Sequence, residues 1–287
     1  MTLRALREDD VEAARLVQVA AFAAHDERMG EPAAVDTPER VERRRRRLRH
    51  FLANDPGGCW VATDGDRIAG VALASVRDGL WGLSLLVVDP SLHGRGIGRQ
   101  LLAAALSYGA PAGRGVIMAT RDPGAIRLYA EVGFALHPQV RASGLVRSAV
   151  VASTRVRDGR PEDRSLVEAV DREVRGASRG ADHDMLAWFA DLLVVDDADG
   201  RGYAYLHGGE VQTVVAADEA TGAALLRTAL ARTADAGLEA VVEHLNANQQ
   251  WAVQVAVEAG LTLAPSGPGF WRGFHPPAAY LPSGPYL

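Results

Sequence analysis

One stretch, residues 85–102, decides the fold: Leu-Leu-Val-Val-Asp-Pro-Ser-Leu-His-Gly-Arg-Gly-Ile-Gly-Arg-Gln-Leu-Leu. It begins as an apolar strand, bends through three glycines and continues as an amphipathic helix. Because Gly94, Gly96 and Gly98 carry no Cβ, backbone N–H groups can approach an anion closely where the helix begins. The stretch therefore predicts a loop that binds the pyrophosphate of a nucleotide-containing cofactor.

The glycine spacing excludes two other phosphate-binding loops. A P-loop needs Gly-Lys-Ser/Thr after its glycines, and this chain contains no lysine. A dinucleotide fingerprint needs glycines spaced 2 and 3 apart and an acidic residue about 20 positions further on, whereas these glycines are spaced 2 and 2. Neither class of nucleotide-binding protein fits the sequence.

The glycine stretch resembles the acetyl-CoA loop of the GCN5-related N-acetyltransferase (GNAT) superfamily, Val-x-Pro-x-x-Gln/Arg-x-x-Gly-x-Gly. Val88, Pro90, His93, Gly96 and Gly98 fall on this pattern, and His93 replaces the usual Gln or Arg. The resemblance implies that acetyl-CoA is the co-substrate.

A second motif follows downstream, in residues 121–134, Arg-Asp-Pro-Gly-Ala-Ile-Arg-Leu-Tyr-Ala-Glu-Val-Gly-Phe. It is similar to the family element Asn-x-x-Ala-x-x-Leu-Tyr-x-x-x-Gly-Phe. The matching positions are Asp122, Ala125, Leu128, Tyr129, Gly133 and Phe134. The two motifs occur in the family's order, so together they are far more specific than either is alone.

The resemblance also implies the residues of the site. In the family, backbone groups at the end of the fourth strand contact the pantetheine arm and polarise the thioester carbonyl, and the helix N-terminus assists with the pyrophosphate. Tyr129 matches the general acid that protonates the departing CoA thiolate. The implied cofactor-binding residues are Leu86, Val87, Val88, His93, Gly94, Arg95, Gly96, Ile97, Gly98, Arg99 and Asp122. Asp122 replaces the family's asparagine, which would weaken a hydrogen bond to the pantetheine arm.

The sequence leaves the general base open. Some family members carry a glutamate five residues before the motif asparagine, and that position here is Ile117. The alternatives are His25, Asp26 and Glu27 in a loop expected after the first helix, and Asp78. The loops that would line an acceptor pocket, 25–37 and 137–144, carry no motif that identifies the acceptor.

The second half of the sequence repeats patterns of the first half. Three pairs of segments correspond: 6–11 with 157–163, 94–102 with 218–226, and 125–134 with 252–261. Such a repeat predicts two copies of one fold, joined near residues 148–158. We therefore expect an α/β (α+β) protein with two tandem GNAT-like domains, 1–150 and 151–287. Each would be a mixed, mostly antiparallel central sheet flanked by helices, and the last strand of the first would span 145–150.

The two copies differ in chemistry. Aligned on its paired leucines, the second copy has Asp218 and Ala220 where the first has glycine. A carboxylate there would repel a pyrophosphate by about 1 kcal/mol at ~4 Å in water, and by several at a protein surface. The position of Tyr129 holds Ala256. We expect the C-terminal domain to be degenerate and not to bind CoA.

Composition limits the remaining possibilities. The net charge of −5 argues against nucleic-acid binding. No run approaches the roughly 20 apolar residues that cross a bilayer, and the N-terminal residues form no signal-peptide core, so we expect a cytoplasmic protein without a membrane partner. The single cysteine and the scattered histidines predict no metal site. All 31 basic residues are arginine, a bacterial-like composition.

These observations predict an acetyl-CoA-dependent N-acetyltransferase that transfers the acyl group directly to the amine of a small molecule, as a monomer or homodimer. Two alternatives stay open. One is a non-catalytic acyl-CoA-binding sensor or interaction module that kept the loop. The other is a peptide or protein N-acetyltransferase.

Overall fold

The computed structural model describes residues 1–147 and 150–287. These residues form two compact units, 1–115 and 116–287. The domain boundary at residue 150 rests on the sequence repeat and stays a prediction. Residues 148–149, at the start of the predicted junction, lie outside the described residues.

The first unit is an antiparallel sheet with helices, and its strands pair in chain order. The strands are β1 Thr2–Ala5, β2 Cys59–Asp64, β3 Arg67–Arg77 and β4 Leu80–Val88. The helices are α1 Val11–Met29, α2 Pro38–Asn54 and α3 Ile97–Tyr108, with short 3-10 helices at Glu8–Asp10, Pro56–Gly58, Pro90–Leu92 and Ala110–Ala112. The predicted hairpin turn at Asp78-Gly79 has positive φ at both residues, 45° and 76°, as a type I′ turn requires.

Helix α3 packs its apolar face on this sheet. Ile97, Leu101 and Leu102 are buried on that face, which the sequence periodicity predicted. Trp81 of β4 is fully buried, and its Nε1 donates to the carbonyl of Ala105 at 3.0 Å. This hydrogen bond joins the start of β4 to the C-terminal part of α3.

The second unit contains the remaining elements, and β5 Arg114–Met118 lies at the boundary. Its other strands are β6 Ala135–His137, β7 Val140–Gly144, β8 Arg157–Asp158, β9 Asp191–Asp197, β10 Gly200–His207, β11 Glu210–Ala216, β12 Ala240–Leu245, β13 Thr262–Pro265, β14 Gly269–Arg272 and β15 Tyr280–Leu281. Its helices are α4 Pro123–Glu131, α5 Arg164–Arg175, α6 Asp182–Phe189, α7 Glu219–Asp235 and α8 Gln250–Glu258, with a 3-10 helix at Pro161–Asp163. The larger sheet has the order β13-β7-β12-β11-β10-β9-β8.

The two copies exchange their late strands. Strand β7, from the first copy, pairs antiparallel with β12 and β13 of the second copy. Strand β14, from the second copy, lies between β5 and β6 of the first. The prediction of a strand over 145–150 was wrong at 145–147 and 150, and residues 148–149 lie outside the described residues. The strand is instead Val140–Gly144, in a stretch expected to be a loop, because its neighbours pair with these residues on both sides. Residues 145–147 form no strand.

The repeat is visible in side-chain geometry. Arg4 forms two hydrogen bonds to Asp10, at 2.6 and 2.8 Å, just before α1. Arg157 forms the same pair with Asp163, at 2.7 and 2.6 Å, just before α5. The chain is therefore a tandem repeat of one fold, built as two mixed, mostly antiparallel sheets flanked by helices. No described helix has the length and apolar character needed to cross a membrane.

Candidate functional site

The loop after β4 turns sharply before α3 begins. The Oδ1 atom of Asp89 accepts a hydrogen bond from the backbone N–H of Ser91 at 2.9 Å, which starts the short helix Pro90–Leu92. The exposed His93 folds back, so its Nε2 lies 3.1 Å from the carbonyl oxygen of Val88. His93 therefore ties the loop to the end of β4.

The glycines give the loop an open, left-handed backbone. Gly94 and Gly96 both have φ of +77°, and a Cβ placed on either would meet nothing within 4 Å. Gly96 is also the N-cap residue of α3, whose first N–H groups have no partner within the helix. Arg95 and Arg99 are exposed beside this bend. The arrangement suits an anion that accepts several backbone hydrogen bonds.

Strand β4 carries a bulge next to its predicted cofactor-binding end. Leu73 of β3 pairs with Leu85 and Ala74 with Leu83, so Ser84 is an extra residue. The Nη2 atom of Arg47 donates to the Ser84 carbonyl at 2.5 Å. Bulges redirect backbone groups at the edges of sites. Arg47 is not among the site residues that the sequence predicted, because one arginine in the run of five at 43–47 carries no distinguishing local pattern.

Asp122 and Tyr129 share helix α4, in the second unit. Asp122 caps this helix, because its Oδ1 accepts from the N–H of Ala125 at 3.0 Å. An aspartate caps a helix as well as an asparagine does. Tyr129 is only 5% exposed, and its ring packs edge-on against Phe270 at 5.4 Å between centroids. Burial, and then the charge of Asp122, raise the pKa of the Tyr129 phenol above its ordinary value, so the phenol keeps its proton at neutral pH.

Three of the candidate bases, all near the end of the first helix, do not lie in a loop as the sequence predicted. Helix α1 continues to Met29 and ends at Gly30, which has φ of +68°. His25, Asp26 and Glu27 therefore lie within the last turns of a helix and not in a loop, a correction to the prediction. Ile117, at the family's base position, is 1% exposed. The general base stays open.

Residues 22–134 match the family model described as Acetyltransferase (GNAT) family. The chain carries a GNAT acetyltransferase domain. A comparison with curated proteins finds no match. Within residues 1–147 and 150–287, no three His, Cys, Asp or Glu side chains come together in a way that could hold a metal ion.

Solved structures share the tandem fold. One, from Pyrococcus horikoshii and provisionally named an acetyltransferase, is 17% identical, with a TM-score of 0.76 over 98% of this chain and 93% of that one. A GCN5-related N-acetyltransferase from Sphaerobacter thermophilus is 17% identical, with a TM-score of 0.57 over 94% and 95%. A tandem GNAT protein from the clavulanic acid biosynthesis pathway is 15% identical, with a TM-score of 0.58 over 94% and 97%. At these identities the likeness concerns the fold.

In the second GNAT-like copy, an aspartate side chain caps the N-terminus of helix α7. Asp218 is the N-cap residue of α7 and accepts from the N–H of Thr221 at 2.8 Å and from its hydroxyl at 2.7 Å. Gly222 remains a glycine for packing, because a Cβ there would lie 3.0 Å from the ring of Trp251. The side chain of Asp218 thus caps the N-terminus of α7, whereas the N-cap residue of α3 is the glycine Gly96.

The C-terminal tail, residues 276–287, covers the edge of β11, the strand that corresponds to β4 in the repeat. Its strand β15 pairs antiparallel with β11 at Val214 and Val215. Side chains at the start of α8 donate to carbonyl oxygens of the tail. The pairs are Asn248 to Pro276 at 2.9 Å, Gln249 to Pro277 at 3.0 Å, and Trp251 to Ala278 at 2.9 Å. The tail therefore closes the edge of β11, the strand that precedes α7 as β4 precedes α3.

A buried ionic cluster, which the sequence did not reveal, anchors this tail. The guanidinium of Arg179 is fully buried and pairs with Asp171 at 2.6 Å. It also donates to the hydroxyl of Tyr280 at 3.0 Å and to the carbonyl of Tyr286 at 3.0 Å. Tyr280, Tyr286 and Leu287 are all at most 3% exposed, so the tail packs back onto the second copy.

Proposed function

We propose that this protein is an N-acetyltransferase that moves the acetyl group of acetyl-CoA directly onto the amine of a small molecule. The observation that carries the proposal is the open left-handed bend at Gly94 and Gly96, placed between the end of β4 and the N-terminus of α3. This bend leaves room for backbone N–H groups to meet a diphosphate. Leu86, Val87 and Val88 would lie along the pantetheine arm, and residues 93–99 would surround the diphosphate.

The reaction consists of one bond exchange. The amine nitrogen attacks the thioester carbonyl, a C–N bond forms, and the C–S bond breaks. CoA leaves as a thiolate, and the phenol of Tyr129 supplies the proton that converts it to the thiol. The nitrogen loses its own proton to a base other than Tyr129.

A direct test supplies the purified chain with acetyl-CoA and two panels of acceptors, small amines and peptides. We expect CoA release, with a matching acetylated product, from the small-amine panel. Product from peptides alone would instead support a peptide N-acetyltransferase. Saturable acetyl-CoA binding without product from either panel would support the sensor function and contradict the proposal.

The variant Gly96→Ala tests the loop. A Cβ at φ of +77° costs about 1–2 kcal/mol of backbone strain, so the bend should shift and acetyl-CoA affinity should fall by roughly 5- to 30-fold. Isothermal titration calorimetry measures this change. The matched control is Gly65→Ala, at a hairpin turn with φ of +60° and equally open surroundings. It introduces the same strain away from the loop and should leave affinity unchanged. Equal affinities in the two variants would contradict the assignment.

We also propose that the second copy does not bind CoA, since Asp218 and the tail occupy the corresponding places. The intact chain should bind one acetyl-CoA, and Gly96→Ala should weaken that single event without revealing another. The intact chain is needed because a fragment of 158–287 would lack β7, which pairs with both β12 and β13. Two binding events per chain in calorimetry would disprove this proposal.

A further inference from the structure

A cavity of about 270 Å³ lies in the second unit, beside strands β7, β11 and β12. Its polar lining consists of Arg141, Glu210, Gln212, Glu243 and His244, and residues of the tail border it. The acetyl transfer described above uses none of these side chains.

The backbone at this cavity is irregular. In the pairing of β12 with β7, Val242 lies opposite Ala142 and Leu245 lies opposite Val140. Two residues, Glu243 and His244, therefore face the single residue Arg141, which is a β-bulge. All three residues line the cavity. The bulge therefore places both Glu243 and His244 beside it.

His244 is held in a strained conformation. Its φ is +65°, and in the described chain the other non-glycine residue with positive φ is Asp78, in a tight turn. Strain of this kind costs about 1–3 kcal/mol and persists where the surrounding structure requires it, often at ligand sites. A turn does not explain the positive φ of His244, because this residue lies inside strand β12.

The hydrogen bonding of His244 leaves one nitrogen for a ligand. Its Nδ1 lies 3.2 Å from Oε1 of Gln139, and an amide oxygen can only accept, so Nδ1 carries the proton. Burial lowers the pKa of His244 to about 4, so Nε2 holds a lone pair at neutral pH. A Cβ at Gly284 would meet only this Nε2, at 3.3 Å. Glycine at position 284 therefore keeps the space in front of the lone pair open.

The charges around the cavity favour a cation. Two carboxylates, Glu210 and Glu243, face one guanidinium, Arg141, whose Nε lies 3.5 Å from Oε1 of Glu243. Because His244 is neutral, the lining carries a net charge of −1. A lone pair and two carboxylates are acceptors, and an ammonium group supplies up to three N–H donors.

We propose that this cavity binds a small primary ammonium compound, whose N–H groups donate to His244 Nε2 and to the carboxylates of Glu243 and Glu210. The cavity contains no residue of the acetyl-CoA loop. The test of this proposal is therefore independent of the test of the proposed function.

The experiment titrates the full chain with butylamine by calorimetry, without acetyl-CoA, and uses butan-1-ol as the uncharged probe. We expect saturable binding of the amine and none of the alcohol. Gly284→Val, which fills the space before Nε2, and Glu243→Gln, which removes a carboxylate, should each weaken binding at least tenfold. Glu239→Gln, an exposed residue that does not line the cavity, should leave it unchanged.

Circular dichroism shows whether each variant is folded, and Gly284→Ala replaces the valine variant if that one unfolds. Equal binding of amine and alcohol would overturn the proposal, as would a Kd above about 10 mM for butylamine. Unchanged affinity in the folded glycine and Glu243 variants would overturn it too.

Discussion

Asp171→Asn should lower the free energy of unfolding by about 3–5 kcal/mol, the range for breaking a buried ion pair from one side. Asp171 is fully buried and accepts from Arg179 at 2.6 Å, from the Tyr203 hydroxyl at 2.5 Å and from His183 Nε2 at 3.0 Å. Arg175 lies 3.4 Å away and is also buried. Asparagine would remove the carboxylate that the two buried guanidinium groups of Arg179 and Arg175 share. Urea unfolding at neutral pH measures the change.

The matched control is Asp197→Asn, which removes a carboxylate from an exposed pair with Arg155. Surface pairs contribute about 0–1 kcal/mol, so this variant should unfold near the wild-type midpoint. Similar losses in Asp171→Asn and Asp197→Asn would contradict the importance of the buried cluster.

The Asp171 effect should also depend on pH. Burial alone would raise the pKa of Asp171, but Arg179 and Arg175 together hold it well below its usual range. A carboxyl with a lowered folded pKa stabilises the fold above its unfolded pKa, near 4, and loses that contribution as the pH falls toward the folded value. The stability difference between wild type and Asp171→Asn should therefore be full at pH 7 and should shrink below about pH 4. A difference that grew on acidification would contradict this account.

Tyr129→Phe should reduce turnover by roughly 10²- to 10⁴-fold, the range for loss of a general acid, and should leave acetyl-CoA affinity unchanged. The buried phenol keeps its proton because its pKa is raised, and phenylalanine retains the ring that packs on Phe270. Steady-state kinetics with the best amine from the panel measures kcat, and calorimetry measures affinity.

Tyr108→Phe provides the control, because it removes a tyrosine hydroxyl that contributes to stability and has no proposed role in the reaction. The Tyr108 hydroxyl donates to Asp55 Oδ1 at 3.1 Å. Its loss should cost about 1 kcal/mol of stability and leave kcat unchanged. If Tyr129→Phe keeps wild-type turnover, Tyr129 is not the general acid. If the wild type binds acetyl-CoA but turns over no amine, the sensor alternative gains support.

Local sequence patterns predicted most of the first unit. The apolar strand, the three glycines and the amphipathic helix of residues 85–102 appear as β4, the open bend and α3. These features depend on residues close together in the chain, so short-range chemistry specifies them. The repeat was also readable, but the sequence paired 6–11 with 157–163. The structure instead matches 4–10 with 157–163, because both Arg-x-x-Arg-x-x-Asp segments form the same local hydrogen bonds.

Features that depend on contacts between residues far apart in the chain could not be predicted from the sequence. Strand β7 was placed too late because its partners, β12 and β13, lie about a hundred residues away or more. The segment Asp182-His183-Asp184 forms the first turn of α6, and no local pattern indicates that His183 bonds to Asp171. No local sequence pattern around His244 indicates that this residue faces Arg141 across a bulge.

The exchange of β7 and β14 has a consequence for biosynthesis. Strand β6, near residue 136, gains its β14 neighbour only after residues 269–272 have left the ribosome. Pairings so distant in sequence close large loops and form slowly. The nascent chain must therefore carry β6 without its β14 neighbour while residues 138–268 are synthesised.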